Sequence, residues 1–365
     1  MSSVSISTTE RVRVLVVGLG TMGTSHARAY NAIDGFKLVG LCTSRAANRH
    51  DLDVEFPGLP RFARFDEALA IVRPDAVAIC THTEHHAEMA LQAFAARAHV
   101  FCEKPLADTL EAARRVVSAA SAAGKALLIG YILRVHPSWS RFVEIGRTLG
   151  KPLVMRMNLN QQSAGSFWEV HKKLMRSTSP IVDCGVHYVD IMCQMTRARP
   201  VAVHAVGARL TGEIAPAMYN YGHLHILFED GSVGWYEVGW GPMMSETAHS
   251  VKDIIGPNGS VSMVATQSGG ASARSADHGT HTRTNALRIH HAALDAEDCF
   301  AKPDELVSTE DEPSHQGLCE REQRLFLSAI RGEIDLSEHH EAAINSLSIV
   351  FAADESVRSG EVVRL

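Results

Sequence analysis

The stretch VRVLVVGLGTMGTSHARAY, running from Val12 to Tyr30, decides the fold. A mostly apolar run from Val12 to Val17 breaks into Gly18-Leu19-Gly20-Thr21-Met22-Gly23, and a helix-compatible segment follows. A β-branched run bounded by glycine reads as a strand buried on both faces, as in a parallel sheet. The glycines then have separate tasks. Gly18 permits a tight turn, Gly20 lets a pyrophosphate approach the backbone, and Gly23 lets helix and strand pack closely. The helix start, through Thr21 and Met22, aims backbone N–H groups at phosphate. The spacing therefore predicts a dinucleotide site at Gly18, Gly20, Thr21, Met22 and Gly23.

Composition bounds the rest. A chain of 365 residues is long for one core and predicts two domains. Hydrophobic content of 45% and charged content of 21% are ordinary for a globular protein. With a formal net charge of −6 and no long basic run, a nucleic-acid partner is not expected. Seven cysteines form no CxxC pair, and several sit inside apolar runs, as free buried thiols do. Together with the lack of an apolar signal core or a membrane-length stretch, this predicts a cytoplasmic protein with no membrane partner.

After the glycine turn, strand and helix patterns alternate. Strands are expected at Phe36–Cys42, Pro74–Thr81, His99–Cys102 and Lys125–Gly130, with helices at Glu84–Arg97 and Thr109–Ala123. Alternation of this kind implies a parallel sheet whose ligands lie beyond the carboxyl ends of the strands. Three such strand ends stand out. Thr43, Ser44 and Arg45 occupy the place where an acid would accept from a ribose 2′-OH; hydroxyls and an arginine suit a 2′-phosphate, so NADP is expected, with NAD possible. Thr81 and His82 are expected at the cofactor, with His86 on the helix that opens there. Three histidines within five residues invite a metal, but no further ligands accompany them, and none is expected. Finally, Glu103-Lys104-Pro105 aims a lysine at the ligand crevice.

Beyond residue 133 the pattern changes, which predicts domains at 1–133 and 134–365. A helix at Ser138–Leu149 leads into alternating strands at Leu153–Gln161, Val201–Leu210, His223–Phe228, Val233–Trp240, Val251–Ile255, Ser260–Val264 and Leu287–His291. Alternation marks a sheet with one solvated face. Thr266–Arg283, rich in small and polar residues, is expected to be a long excursion, and helices return at Ser314–Arg331 and Glu338–Ser359. Within this half, Asp183 and His187 are spaced i, i+4, with Asp190 further along the same helical face. A carboxylate beside a histidine orients the ring and favours its protonated form, as an acid–base residue requires.

The glycine turn, the Glu103-Lys104-Pro105 triplet and Asp183-x-Gly185-x-His187-x-x-Asp190 together resemble the glucose–fructose oxidoreductase / inositol dehydrogenase / MocA family. That resemblance implies an α/β protein: an N-terminal Rossmann dinucleotide-binding domain, then an α+β domain with a large open, mostly antiparallel sheet used for homodimer or homotetramer assembly. It implies NAD(P)-dependent hydride transfer on a secondary alcohol or ketone of a sugar, cyclitol or polyol. Lys104 and His187 would be catalytic with Asp183, and the bond to Pro105 is often cis. Glu103, Lys104 and Pro105 would also line the cofactor. Substrate contacts are expected from Lys104, Asp183 and His187, and from Tyr131, Arg134, Asn158, Trp168, His171 and Lys172. One departure matters: Arg176-Ser177-Thr178-Ser179-Pro180 stands where many members carry glycines, so relatives' substrates do not transfer. A glycosidase that keeps NAD bound and a non-catalytic sensor of the same fold stay open.

Overall fold

A computed structural model describes residues 10–245, 251–264, 284–309 and 311–365. The excursion expected at Thr266–Arg283 lies outside the described residues. Two compact units emerge: one runs to Ile132 and includes Gln316–Ile344, the other is Leu133–His315 with Asn345–Leu365. A single cut at 133/134 therefore does not describe the chain, because a C-terminal segment returns to the first unit.

The first unit is built on a parallel sheet of β1 (Val12–Val17), β2 (Phe36–Cys42), β3 (Arg61–Phe62), β4 (Ala76–Ile79), β5 (His99–Glu103) and β6 (Leu127–Gly130). Its order is β3-β2-β1-β4-β5-β6, so the chain reverses direction of winding between β1 and β4. Crevices for ligands form at such a switch point. The strands are buried almost throughout because helices cover both faces, which is why they read as continuous apolar runs. Among the helices are α1 (Thr21–Ala32), α2 (Asp51–Glu55), α3 (Phe65–Val72), α4 (His86–Ala95) and α5 (Leu110–Ala123). Thr109 caps α5 by accepting from the Ala112 N–H, and Gly124 ends it in a left-handed turn.

The returning segment finishes the sheet edge. Ile129 N–H donates to His339 Nε2 at 3.0 Å, and His340 Nε2 lies 2.7 Å from the Leu127 carbonyl. Two imidazoles thus occupy main-chain groups that an edge strand would otherwise leave unpaired.

The second unit opens with α6 (Pro137–Thr148) and β7 (Val154–Gln162), followed by α7 (Gly165–Leu174), α8 (Pro180–Thr196), β8 (Pro200–Ala208), β9 (Tyr221–Phe228) and β10 (Val233–Gly241). Strands β11 (Lys252–Gly256), β12 (Gly259–Val264), β13 (Ala286–His291), β14 (Glu305–Ser308) and β15 (Val363–Arg364) complete a nine-stranded sheet ordered β14-β13-β12-β11-β7-β10-β9-β8-β15. Among the described residues of this sheet, only β7 and β10 pair in parallel. The remaining helices are α9 (His315–Ile330) and α10 (Ser337–Ser359). No helix among the described residues is long and apolar enough to cross a membrane.

Candidate active site

In the first unit the glycine turn joins β1 to α1 as the motif requires. Gly18 has φ +87°, and a Cβ there would sit 2.4 Å from the Cys80 carbonyl oxygen; at Gly23 it would sit 1.8 Å from the Gly18 oxygen. Both glycines are thus fixed by close backbone approach. Gly20 differs: a Cβ would meet nothing within 4 Å, so open space lies at the helix start. The first turn of α1 carries no acid, and no side chain caps it. An exposed helix N-terminus with room above its glycine suits a pyrophosphate. These residues fit a dinucleotide.

Thr43, half-buried, and the exposed Ser44 and Arg45 follow β2. Sequence reasoning missed Arg49 one turn on, whose Nη1 hydrogen-bonds the carbonyl of Leu19 inside the glycine turn while Nη2 pairs with Asp51 at 2.7 Å. Its signal was present as a second arginine after Arg45, but only the fold brings it back to the turn.

Thr81 and His82 lie after β4, half-buried and exposed. His86 does not join them toward the cofactor. Its ring is buried, with Nδ1 2.7 Å from the Pro105 carbonyl and Nε2 3.0 Å from that of Thr81. Burial pushes its pKa down, while the hydrogen bonds to the Pro105 and Thr81 carbonyls work the other way. Glu103 likewise turns inward: Oε1 lies 2.8 Å from His26 Nε2, and Oε2 accepts the Lys104 N–H at 3.2 Å. Lys104 is half-buried and the Lys104–Pro105 bond is cis.

In the second unit, Ser179 caps α8 by accepting from the Val182 N–H at 3.1 Å, with Pro180 in the first turn. The helix is buried at all but four positions, Asp183, His187, Cys193 and Gln194. Gly185 is explained by packing, since a Cβ would stand 3.0 Å from the Tyr236 ring.

The expected substrate residues divide. His171 is buried, stacked on Trp240 with centroids 4.3 Å apart, and its Nδ1 lies 3.0 Å from Ser163 Oγ. Trp240 and Gln161, which sequence reasoning passed over, sit opposite each other at the carboxyl ends of the parallel pair; Trp240 Nε1 donates to Gln161 Oε1 at 2.6 Å. Cys184 Sγ lies 3.6 Å from both Gln161 Oε1 and Asp183 Oδ2, so the chain of contacts reaches Asp183. The other candidates are engaged elsewhere. Lys172 pairs with Glu169 and Glu213, each at 2.7 Å, and Trp168 Nε1 donates to Glu213 at 3.2 Å. Arg134 is bound to Asp190. Asn158 Oδ1 accepts the Val251 N–H at 2.8 Å. Tyr131, in the first unit, is buried with its ring edge against His339.

The switch-point crevice with its glycine turn makes the first unit a dinucleotide-binding one. Residues 12–131 match the family described as an oxidoreductase family with an NAD-binding Rossmann fold, and residues 146–262 match the GFO/IDH/MocA C-terminal domain. The chain belongs to the Gfo/Idh/MocA oxidoreductase family. It is 33% identical over 187 residues to the inositol 2-dehydrogenase of Paracoccus denitrificans, covering 50% of this chain and 53% of that one. It is 27% identical over 252 residues to the D-glucoside 3-dehydrogenase of Escherichia coli, covering 64% and 71% respectively. The match thus spans about half the length of the first relative. The fold is shared with the WlbA dehydrogenase of Bordetella pertussis, solved with NADH and UDP-GlcNAcA, at TM-score 0.76 and 20% identity, covering 98% of this chain and 99% of that one.

Proposed function

We propose that the protein is an NAD(P)-dependent dehydrogenase acting on a secondary alcohol, or its ketone, in a cyclitol, sugar or related polyol. One observation carries this reading: a helix buried nearly all round opens at Asp183 and His187, the pair spaced for acid–base work. Inositol 2-dehydrogenase and D-glucoside 3-dehydrogenase among the relatives support the substrate class.

A bound nicotinamide supplies the hydride acceptor. His187 takes the hydroxyl proton, Asp183 orients the ring, and Lys104 hydrogen-bonds the reacting oxygen. His171, stacked on Trp240, lines the substrate side. A screen of cyclitols, aldoses and glycosides, followed by reduced-nicotinamide absorbance, tests the reading. Turnover should fall ~10²–10⁴-fold in His187→Asn and in Lys104→Ala, with cofactor affinity held by the glycine turn. Full turnover in His187→Asn rejects the acid–base assignment; cofactor and sugar binding without hydride exchange makes the protein a sensor.

Assembly belongs to the same proposal. Leu227, Val233, Val154 and Ile255 are direct cross-strand neighbours on β9, β10, β7 and β11, and they are 36–48% exposed. A second copy covering this apolar row gives a dimer or tetramer. Light scattering should return at least twice the 39.6 kDa chain mass, and a monomer at micromolar concentration overturns it.

A further inference from the structure

We propose that His26 and Gln323 are positioning residues for Lys104, acting through the carboxylate of Glu103. The inference rests on the reading of Lys104 as a catalytic residue. All the groups belong to the first unit, although Gln323 lies on α9, near the far end of the chain.

The chain of bonds has a defined polarity. Glu103, the last residue of β5, accepts at both oxygens: from Lys104 N–H at 3.2 Å and from His26 Nε2 at 2.8 Å. An ionised carboxylate only accepts, so His26 carries its proton on Nε2. On the other side of the ring, Gln323 Nε2 lies 2.9 Å from Nδ1; an amide nitrogen only donates, so Nδ1 accepts there. That fixes the amide, whose Oε1 accepts from the Tyr30 hydroxyl at 2.5 Å. Each member is buried, and each bond orients the next.

Two neighbours sharpen the picture. Cys319, Glu322 and His26 bring ligand-type atoms within 4.8 Å of one another. Both nitrogens of His26 are already bonded, however, which favours a hydrogen-bonded cluster over a metal. Glu322 is 2% exposed, and burial with the charge of Glu103 pushes its pKa well up.

The result is a clamp on either side of the lysine. The Lys104 N–H is held by Glu103, and the Pro105 carbonyl is held by His86 from α4. Lys104 itself is half-buried between these two fixed points. A positioned group loses up to ~10²-fold in rate when displaced by an ångström.

The test separates Lys104 position from general damage. Reductive ¹³C-methylation of the whole protein places a reporter on each lysine, and the signal absent in Lys104→Arg is that of Lys104. It should move in His26→Leu, which deletes the donor, and in Gln323→Glu, an isostere that cannot donate to Nδ1. In His26→Gln, whose amide reproduces the Nε2 donor, it should return. On a substrate from the screen, His26→Leu should lower kcat ~10–10²-fold with little change in KM for NAD⁺. In a Lys104→Ala background it should lower kcat no further. If His26→Leu does not fold, Gln323→Glu carries both arms. An unmoved Lys104 signal in both variants, or full additivity with Lys104→Ala, overturns the proposal. Unchanged turnover in Lys104→Ala alone would instead reject the catalytic reading, while the resonance arm still reports on the clamp.

Discussion

Arg134 grips Asp190 with a two-point hold: Nε lies 2.8 Å from Oδ2 and Nη2 lies 2.5 Å from Oδ1. Gln194 adds a bond to Oδ2 at 2.9 Å. Asp190 is 1% exposed, so its charge depends on this partner. The guanidinium expected at the substrate is therefore engaged in holding the chain before α6 against α8. Replacing one partner of a buried pair strands the other charge, at a cost of about 3–5 kcal/mol. Arg134→Met should lose that much in urea unfolding, and Arg134→Lys should regain only part, because an ammonium lacks the planar fork. A loss under about 1 kcal/mol in Arg134→Met would make the pair a surface-like one.

Two helical glycines should respond oppositely to alanine. Gly185 on α8 faces the Tyr236 ring, with a Cβ placed 3.0 Å from Cε1. Tyr236 is fully buried and stacked on Tyr188 at 4.9 Å, so it has little room to retreat. On α6, a Cβ at Gly146 would meet the flexible end of Met195 at 3.2 Å. Alanine gains about 1 kcal/mol in helix propensity, while overpacking a rigid site costs about 1–3. Gly146→Ala should be neutral or stabilising and Gly185→Ala destabilising, as read from thermal midpoints. A stabilised Gly185→Ala would mean that the Tyr236 ring moves freely.

Lys252 makes stability depend on alkaline pH. Its side chain is buried, its ammonium donates to the Asn158 carbonyl at 2.7 Å, and burial lowers its pKa to about 8 from 10.5. Between those values the unfolded chain binds the proton more readily than the folded one, so stability rises with pH. Below about 8 the full penalty applies; over the whole window the gain is about 3 kcal/mol. Lys252→Met should lack this contribution, so the difference in stability between parent and variant should shift in the parent's favour from pH 8 to 10. A difference that stays constant would show that Lys252 is charged throughout.

How much of this was legible in the chain depended on where the partners lay. Parallel strands buried on both faces wrote themselves as apolar runs, so β1 and β2 are found at Val12–Val17 and Phe36–Cys42, as expected. The strand-end place of Lys104 and the shared helical face of Asp183 and His187 were legible for the same local reason. The two-residue β3 was not, because it has too few residues for any period. Nor was the return of Gln316–Ile344, since His339, His340 and Gln323 find partners some 200 to 300 residues away. Side-chain partners were hidden likewise: Arg134 and Lys172, expected at the substrate, pair with Asp190 and Glu213, 56 and 41 residues further on.

The cofactor preference turns on two arginines with different work. Arg49 is bonded to Leu19 O and Asp51, so it supports the glycine turn and its charge is balanced. Arg45, beside Ser44, is exposed at the strand end where a ribose 2′-substituent would lie. If that substituent is a phosphate, Arg45→Ala removes a charge-assisted contact worth ~1.5–3 kcal/mol, roughly tenfold to a hundredfold in NADP affinity. NAD, lacking the phosphate, should be held almost unchanged. Arg49→Ala should weaken both cofactors alike, because the turn that holds their common pyrophosphate loses a support. Fluorescence titration of the three proteins with NADPH and NADH reads all six affinities. Equal losses in Arg45→Ala, or tighter NADH than NADPH binding in the parent, would make this an NAD enzyme and leave Arg45 a solvent-facing residue.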